Sequence, residues 1–172
     1  MENSLLDILD VIGTWVSSIG TVGAVITSLW IANSGNKAKL KVSATASYII
    51  DTKSKDKPLV CLISVINIGR KPVTVTCLGW EIGKRKKKKT FLQKTNDAIL
   101  GEIPKTLMES QDLSIGIYSS GNWFQYMANL LKDYDLKTMK LVVATNLGES
   151  FKAEVDQSLI NEILKLQIEN RV

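Results

Sequence analysis

The sequence predicts a mainly β protein, in which an antiparallel β-sandwich follows one apolar N-terminal helix and carries an inserted helix and a C-terminal helix. Three observations support this prediction. An uncharged stretch, 11–36, comes early in the chain of 172 residues. After residue 37 the hydrophobic pattern changes from a helical period to the two-residue period of strands. About seven short apolar segments follow at turn spacings typical of a sandwich.

The uncharged stretch fits a transmembrane helix. Residues 11–32 would span about 33 Å as a helix, slightly more than the hydrocarbon core of a bilayer. Trp15 and Trp30 lie near its two ends, where interfacial aromatic residues anchor a span. One alternative is a helix buried in a soluble oligomer, which the nine Gly, Ser and Thr residues among residues 11–32 allow. The other is a cleaved signal peptide, but no basic segment precedes the stretch.

Small residues recur on one face of this helix at spacings of four and three. We call them the small-residue stripe: Gly13, Ser17, Gly20, Ala24 and Thr27. Such faces let helix backbones approach closely in lipid. The stripe therefore predicts a homo-oligomer formed through the helix. Alternatively, the small residues only lower the hydrophobicity of the span.

The charges that flank the stretch predict its orientation. Glu2, Asp7 and Asp10 lie on its N-terminal side without any Lys or Arg, whereas lysines 37, 39 and 41 follow it. The positive-inside rule places the lysines in the cytoplasm. We therefore expect a single-pass membrane protein with its N-terminus outside and the sandwich in the cytoplasm.

Alternation and turn residues predict the remaining elements. Gly69-Arg70, between two apolar runs, is typical of a hairpin. Trp123, Phe124, Met127, Leu130 and Leu131 recur at helical spacing and predict the inserted helix as part of the core. The predicted strands are 40–48, 58–68, 72–82, 90–93, 111–118, 139–145 and 150–155, with a polar turn at 51–57, an extended loop at 103–107 and a last helix from Asp156 or Ser158. The expected division is a membrane helix with its linker, 1–36, a sandwich, 37–156, and an amphipathic C-terminal helix, 157–172.

A resemblance comes from residues 65–75, with the sequence VINIGRKPVTV, followed by Gly79-Trp80. This segment resembles the N-x-G-x-x-P-V-x-V hairpin of small bacterial and prophage-encoded membrane proteins. In that group one N-terminal helix, often with a core like residues 19–25, precedes an immunoglobulin-like sandwich. The resemblance implies an immunoglobulin-like fold, a bacterial inner membrane location and a phage-related or defence context. It supplies no catalytic residues.

The composition argues against an enzyme. The chain contains no histidine, which removes the usual general base and the commonest metal ligand. No Walker, GxGxxG, GxSxG, HExxH or CxxC motif is present, and the carboxylates show no paired spacing. We therefore predict no catalytic residues, no metal and no cofactor.

The two cysteines, Cys61 and Cys77, have two interpretations. If the second and third predicted strands pair about Gly69-Arg70, these cysteines lie nearly opposite each other. In a reducing compartment they would be two reduced core thiols. The alternative is a redox switch.

One segment accounts for the net charge of +5, which would be −1 without its six residues. We call it the basic run: Lys84, Arg85, Lys86, Lys87, Lys88 and Lys89. It can be a solvated hairpin tip that keeps a sheet edge from aggregating. It can also bind an acidic protein or a nucleotide-like anion. The run contains no aromatic residue for base stacking, so sequence-specific nucleic-acid binding is not expected.

Strand direction predicts that the basic run lies far from the bilayer. The first strand leaves the membrane, the second returns and the third leaves again. A ten-residue strand is about 33 Å long, several times the Debye length of about 8 Å. In an upright domain these lysines would therefore not attract lipid headgroups.

Two functions are consistent with the sequence. The first is a non-enzymatic, membrane-anchored protein whose cytoplasmic sandwich binds a partner or ligand. The second is an oligomerising effector, in which the polar helices assemble and perturb the membrane when the sandwich senses a ligand. In both, the lipid bilayer is a partner.

Overall fold

The computed structural model describes residues 2–34, 37–50, 57–84, 87–95, 98–118 and 122–170. The chain divides into two units, residues 1–37 and 38–172. The first contains helix α1, Glu2–Ser34. We call the second the β unit. Most of the predicted turn at 51–57, the first residues of the predicted cap at 119–122, and Arg85 and Lys86 lie outside the described residues.

Most of the regular secondary structure of the β unit is strand, and two helices accompany the strands. The helices are α2, Trp123–Leu130, and α3, Gln157–Glu169. A short 3-10 helix, Leu136–Thr138, follows α2. The strands are β1 Leu40–Tyr48, β2 Leu59–Asn67, β3 Val73–Ile82, β4 Lys89–Gln93, β5 Ala98–Leu100, β6 Lys105–Leu107, β7 Asp112–Tyr118, β8 Lys140–Thr145 and β9 Ser150–Glu154. The predicted mainly β architecture, with an apolar N-terminal helix and a C-terminal helix, is confirmed.

The strands form two antiparallel sheets. The first has the order β1-β2-β7-β5, and the second has the order β4-β3-β8-β9, with β6 also paired to β3. In the first sheet Ile63 pairs with Ile115, and in the second Trp80 pairs with Leu141; all four side chains are buried. Alternate residues of each sheet therefore face one shared hydrophobic core.

Both helices of the β unit contribute to this core. Phe124 and Met127 are buried on α2, and Leu159 and Ile163 are buried on α3. Asp156 caps α3, because its carboxylate accepts a hydrogen bond from the Ser158 N–H at 2.8 Å. The C-terminal helix is thus packed into the same unit as the sheets.

The hairpin predicted at Gly69-Arg70 is wrong. β2 and β3 lie in different sheets, so the turn between them is a corner that joins the two sheets. The side chain of Asn67, at the end of β2, is fully buried and holds this corner. Its Nδ2 donates to the carbonyls of Lys71 and Leu107, both at 2.9 Å, and its Oδ1 accepts from the Gly69 N–H at 2.9 Å. The local pattern identified a turn, but the pairing of the strands depends on these long-range contacts.

The predicted pairing of Cys61 with Cys77 is also wrong. Cys61 lies opposite Ala46 and Ile117 in the first sheet, whereas Cys77 lies opposite Ala144 in the second. A register shift between Val75 and Cys77 changes the face that each later residue of β3 presents. Cys61 is therefore a core thiol and Cys77 is only half-buried, and both are free.

Two short strands add to the predicted set. The segment predicted as an extended loop at 103–107 contains β6, which pairs with β3 through Thr74 and Thr106. β5 has only three residues and pairs with β7. Segments this short have no periodicity of their own, so only their partners define them as strands.

The ends of β1 and β3 fix the position of the basic run within the β unit. Leu40, at the start of β1, pairs with Asn67 beside the corner. β3 leaves that corner and ends ten residues later at Ile82. The described residues of the basic run, Lys84 and 87–89, follow Ile82 and therefore lie at the end of the β unit opposite to Leu40.

Replacing Asn67 with Ala should destabilise the β unit by about 3 kcal/mol, because two carbonyls and one N–H near the corner lose their partner. Thermal unfolding of the full chain in detergent, followed by circular dichroism, measures this change. Asn146→Ala is the matched control. It removes one exposed hydrogen bond, from the Thr74 N–H at 3.2 Å, and should cost less than about 1 kcal/mol. Equal losses in the two variants would contradict the role assigned to Asn67.

Candidate binding groove

Strand β4 forms one edge of the second sheet and pairs with β3. Gly79 allows this pairing to be close, because a Cβ atom at that position would lie 2.7 Å from the carbonyl oxygen of Phe91. On β4 itself, Phe91 and Gln93 are partly buried, whereas Leu92 is 79% exposed. The edge strand therefore directs one set of side chains toward the core and leaves an apolar residue in solvent.

Two tryptophans meet beneath this edge. Trp80 of β3 and Trp123 of α2 are both buried, with ring centroids 5.7 Å apart. Both indole Nε1 atoms donate to Oε1 of Gln93, each at 2.9 Å. Gln93 thus satisfies both buried donors and ties α2 to β4. Trp123 also packs edge-to-face against Phe124, with centroids 5.0 Å apart.

A groove of about 570 Å³ runs between β4 and α2. This volume lies in the range of small-ligand sites, and the lining is mostly apolar and aromatic, as in such sites. Among the described residues that line it there is no Asp or Glu, and Lys94 is the one charged residue. The lining residues are Trp80, Thr90, Phe91, Leu92, Gln93, Lys94, Trp123, Tyr126, Met127 and Leu130.

The basic run leads into β4, whose first residue is Lys89, and part of the run is bound to other residues of the β unit. Nζ of Lys88 is 2.8 Å from a carboxylate oxygen of Glu81, a residue of β3. Nζ of Lys89 lies 5.7 Å from the centroid of the Tyr134 ring, and contact with this tyrosine raises the pKa of Lys89. Lys84 and Lys87 are exposed and have no side-chain partner in the part of the chain that the structure describes.

Glu81 receives two lysines. Besides Lys88, Nζ of Lys152 on β9 lies 2.7 Å from its other carboxylate oxygen. The Glu81 side chain is only 8% exposed, and the lysine side chains are 46% and 40% exposed. Hydrogen bonds from Lys152 and then Lys88 lower the pKa of Glu81. This triad fixes the start of β4 against β3 and β9.

The loop that carries the basic run closes tightly at Gly83. This residue has φ of +94°, and a Cβ atom would lie 2.5 Å from the carbonyl oxygen of Lys87. The Gly83 N–H donates to Oγ1 of Thr138 at 2.9 Å. The loop is therefore held against the 3-10 helix that follows α2.

The predicted membrane residues all lie on the exposed surface of α1. This holds for the small-residue stripe, and Trp15 and Trp30 are 68% and 70% exposed. The window Asp10–Ala32 has a mean hydropathy of 1.5 and none of it is buried, so it is long and apolar enough to cross a membrane. The hydroxyls of Thr14, Ser18, Thr21, Thr27 and Ser28 each donate to a carbonyl four residues earlier, at 2.8–2.9 Å.

Reactive side chains are not gathered in the described part of the chain. No three of its Cys, Asp and Glu side chains come together in a metal-binding arrangement. Cys61 is fully buried, and burial raises the pKa of its thiol, which keeps it protonated and unreactive at neutral pH.

None of the described residues that were proposed from the sequence as site residues lines the groove. The sequence assigned Trp123, Met127 and Leu130 to the core, and the first two are buried there, but they also form the groove wall. The sequence signal that could have indicated the groove is Tyr126, an aromatic residue next to Met127 in the inserted helix. Its exposure is seen only in the structure. Identifying β4 as an edge strand requires the topology, which the sequence does not contain.

Comparison with protein-family models and with curated proteins gives no match. Among solved structures, one similar chain is the Northeast Structural Genomics Consortium target SoR45. It has 16% identity and a TM-score of 0.32 over 68% of this chain and 82% of that one. Another is a provisionally named ApaA protein from Bordetella pertussis, with 14% identity and a TM-score of 0.31 over 69% and 89%. Similarities this weak assign neither fold nor function.

Replacing Glu81 with Gln should destabilise the β unit by about 1 kcal/mol near neutral pH, a small value because both lysines are partly solvated. Since folding lowers the pKa of Glu81, its contribution is complete above the ordinary value of 4.5 and is lost as the pH falls through the folded pKa. In thermal melts from pH 7 to pH 3, the difference in melting temperature between the wild type and Glu81→Gln should therefore shrink as the pH falls.

Glu154→Gln is the matched control for this experiment. Glu154 is 88% exposed and lies 3.9 Å from Lys140, so the change should leave stability unaltered at every pH. If Glu81→Gln behaves in the same way, the triad does not stabilise the fold.

Proposed function

We propose that the protein is a non-enzymatic membrane-anchored binding module. In this proposal α1 crosses a bacterial inner membrane once, with the N-terminus outside, and the β unit binds a partner in the cytoplasm. The observation that supports it best is that the apolar core of the β unit does not include α1, whereas α1 has an exposed apolar surface of its own. The core of the β unit is built from residues 44–163, so it is complete without α1. The apolar surface of α1 is exposed throughout Asp10–Ala32 and requires another environment, which a bilayer supplies.

The internal hydrogen bonds of α1 support a simple anchor. Five of the six hydroxyl groups within the apolar window, all except that of Ser17, donate to carbonyls of the same helix, so a single copy can lie in lipid with most of these donors satisfied. Lining a pore would instead require polar groups that face water. We therefore favour the anchor over the assembling effector.

The strand order supports an immunoglobulin-like β-sandwich. In such folds the first, second, fifth and fourth strands form one sheet, and the remaining strands form the other. With β4 and β6 counted as additions to β3, the sheets β1-β2-β7-β5 and β3-β8-β9 follow this scheme. A buried tryptophan on the third strand is typical of the fold, and Trp80 occupies that place.

Fusion reporters test the anchor and its orientation. We expect a C-terminal green fluorescent protein to fluoresce and a C-terminal alkaline phosphatase to be inactive, with both fusions resistant to carbonate extraction. Changing the lysines at 37, 39 and 41 to Gln should weaken this orientation, because they provide the cytoplasmic charge. Release by carbonate would contradict the anchor, and an active phosphatase would contradict the orientation.

The mass of the particle in lipid nanodiscs tests helix association. If the small-residue stripe packs two helices together, Gly20→Leu should convert an oligomer to a monomer, because the added side chain separates the backbones. Val22→Leu, on the opposite face of α1, is the control and should leave the mass unchanged. A wild-type monomer would exclude association through the stripe.

A further inference from the structure

We infer that the groove receives an extended acidic peptide, which adds as a new strand to the free edge of β4. This inference rests on the proposed function, since it assigns the chemistry of the partner that the binding module would take. A small apolar ligand in the same groove would be a different occupant, and the experiments below distinguish it from a peptide.

The lining of the groove indicates that it follows the backbone of β4. Thr90–Lys94, five consecutive residues, all line it. Successive side chains of a strand point to opposite faces of the sheet. Side chains alone would therefore bring only alternate residues to one cavity. All five can contribute because the groove runs along the edge of the strand, where the backbone is accessible.

The backbone of that edge is available for pairing. β4 is the last strand of the second sheet, and in the described residues β3 is the one strand paired with it. An edge strand presents a row of N–H and C=O groups that pair readily with another extended chain. Main-chain hydrogen bonds to such an edge are a recurrent mode of peptide recognition, and pockets for alternate side chains add specificity.

Helix α2 supplies an apolar surface against which the side chains of an added strand can pack. Its Tyr126 is 62% exposed, and Leu130 and Met127 line the groove beside it. Leu92, on β4, is 79% exposed. Apolar side chains on one face of the incoming peptide would be buried against these residues, which fixes its register as well as its affinity.

Charge determines the kind of peptide. Lys94 directly follows β4 and lines the groove, whereas Lys87 precedes the strand and Lys89 is its first residue. Among the described residues no Asp or Glu lines the groove, and Glu81 is already paired with Lys88 and Lys152. The edge is therefore flanked by cations, and no described lining residue of the groove supplies a counter-charge. A peptide with acidic residues alternating with apolar ones complements both the charge and the apolar wall.

The test uses the full chain in lipid nanodiscs and short fluorescein-labelled peptides. A peptide of alternating Glu and Val should bind with a saturable rise in anisotropy. The Lys–Val counterpart should bind about tenfold more weakly, because it meets the lysines at both ends of β4. A Glu–Val peptide interrupted by proline should also bind more weakly, because proline cannot donate to the edge.

Two variants locate the site. Tyr126→Asp should raise the dissociation constant of the Glu–Val peptide about tenfold, because it places a like charge on the apolar wall. Tyr48→Asp is the matched control. Tyr48 is 59% exposed but lies on β1, outside the groove, so binding should be unchanged.

Hydrogen exchange measures the new strand directly. When the Glu–Val peptide is bound, amides of residues 89–93 should exchange more slowly. Those of β9, Ser150–Glu154, at the opposite edge of the same sheet, should not change. Slower exchange at β9 but not at β4 would overturn the inference, as would equal binding by Tyr126→Asp and the wild type.

A fluorescent fatty acid separates the remaining outcomes. If it binds, the Glu–Val peptide does not, and Tyr126→Asp abolishes its binding, then the groove takes a single acyl chain. Strand addition is then wrong, although the binding module stands. If neither probe binds the wild-type protein, the inference is wrong, and the groove is not the site at which the β unit binds its partner.

Discussion

The buried amide of Asn67 is the contact on which the arrangement of the two sheets depends. Its side chain joins the end of β2 to the corner through Gly69 and to β6 through the carbonyl of Leu107. The backbone of the same residue accepts a hydrogen bond from the N–H of Ser110, before β7. One side chain thus connects the first sheet, the second sheet and the loop between them. Because β3 begins at this corner, the position of β4 and of the groove follows from it.

The sequence predicted most of the elements and little of their pairing. Strands such as β1 and β8 have a clear two-residue period, and the helical spacing of Trp123, Phe124 and Met127 is just as clear. The corner at Gly69-Arg70 has the composition of a hairpin, and local composition does not show that Asn67 bonds to Leu107, forty residues away. The bulge after Val75 is another long-range effect, and it reverses the inward face of β3.

The candidate site was even less accessible to sequence reasoning, for a physical reason. The basic run is conspicuous as a string of charges, yet Lys88 is bound to Glu81 and Lys89 contacts Tyr134. The groove is assembled from apolar residues that resemble core residues in the sequence. Its distinguishing property is the free edge of β4, and an edge is a property of the whole sheet. Charge runs are visible in a sequence, whereas sheet edges appear only in the topology.

The different environments of the two cysteines have a practical consequence. Cys61 is fully enclosed in the core, whereas Cys77 is half-buried on the second sheet, two residues before Gly79. A maleimide dye or a nitroxide spin label added to the native protein therefore reacts at one position. That position is near the pairing of β3 with β4, so a single label, introduced without mutagenesis, can report on this side of the β unit.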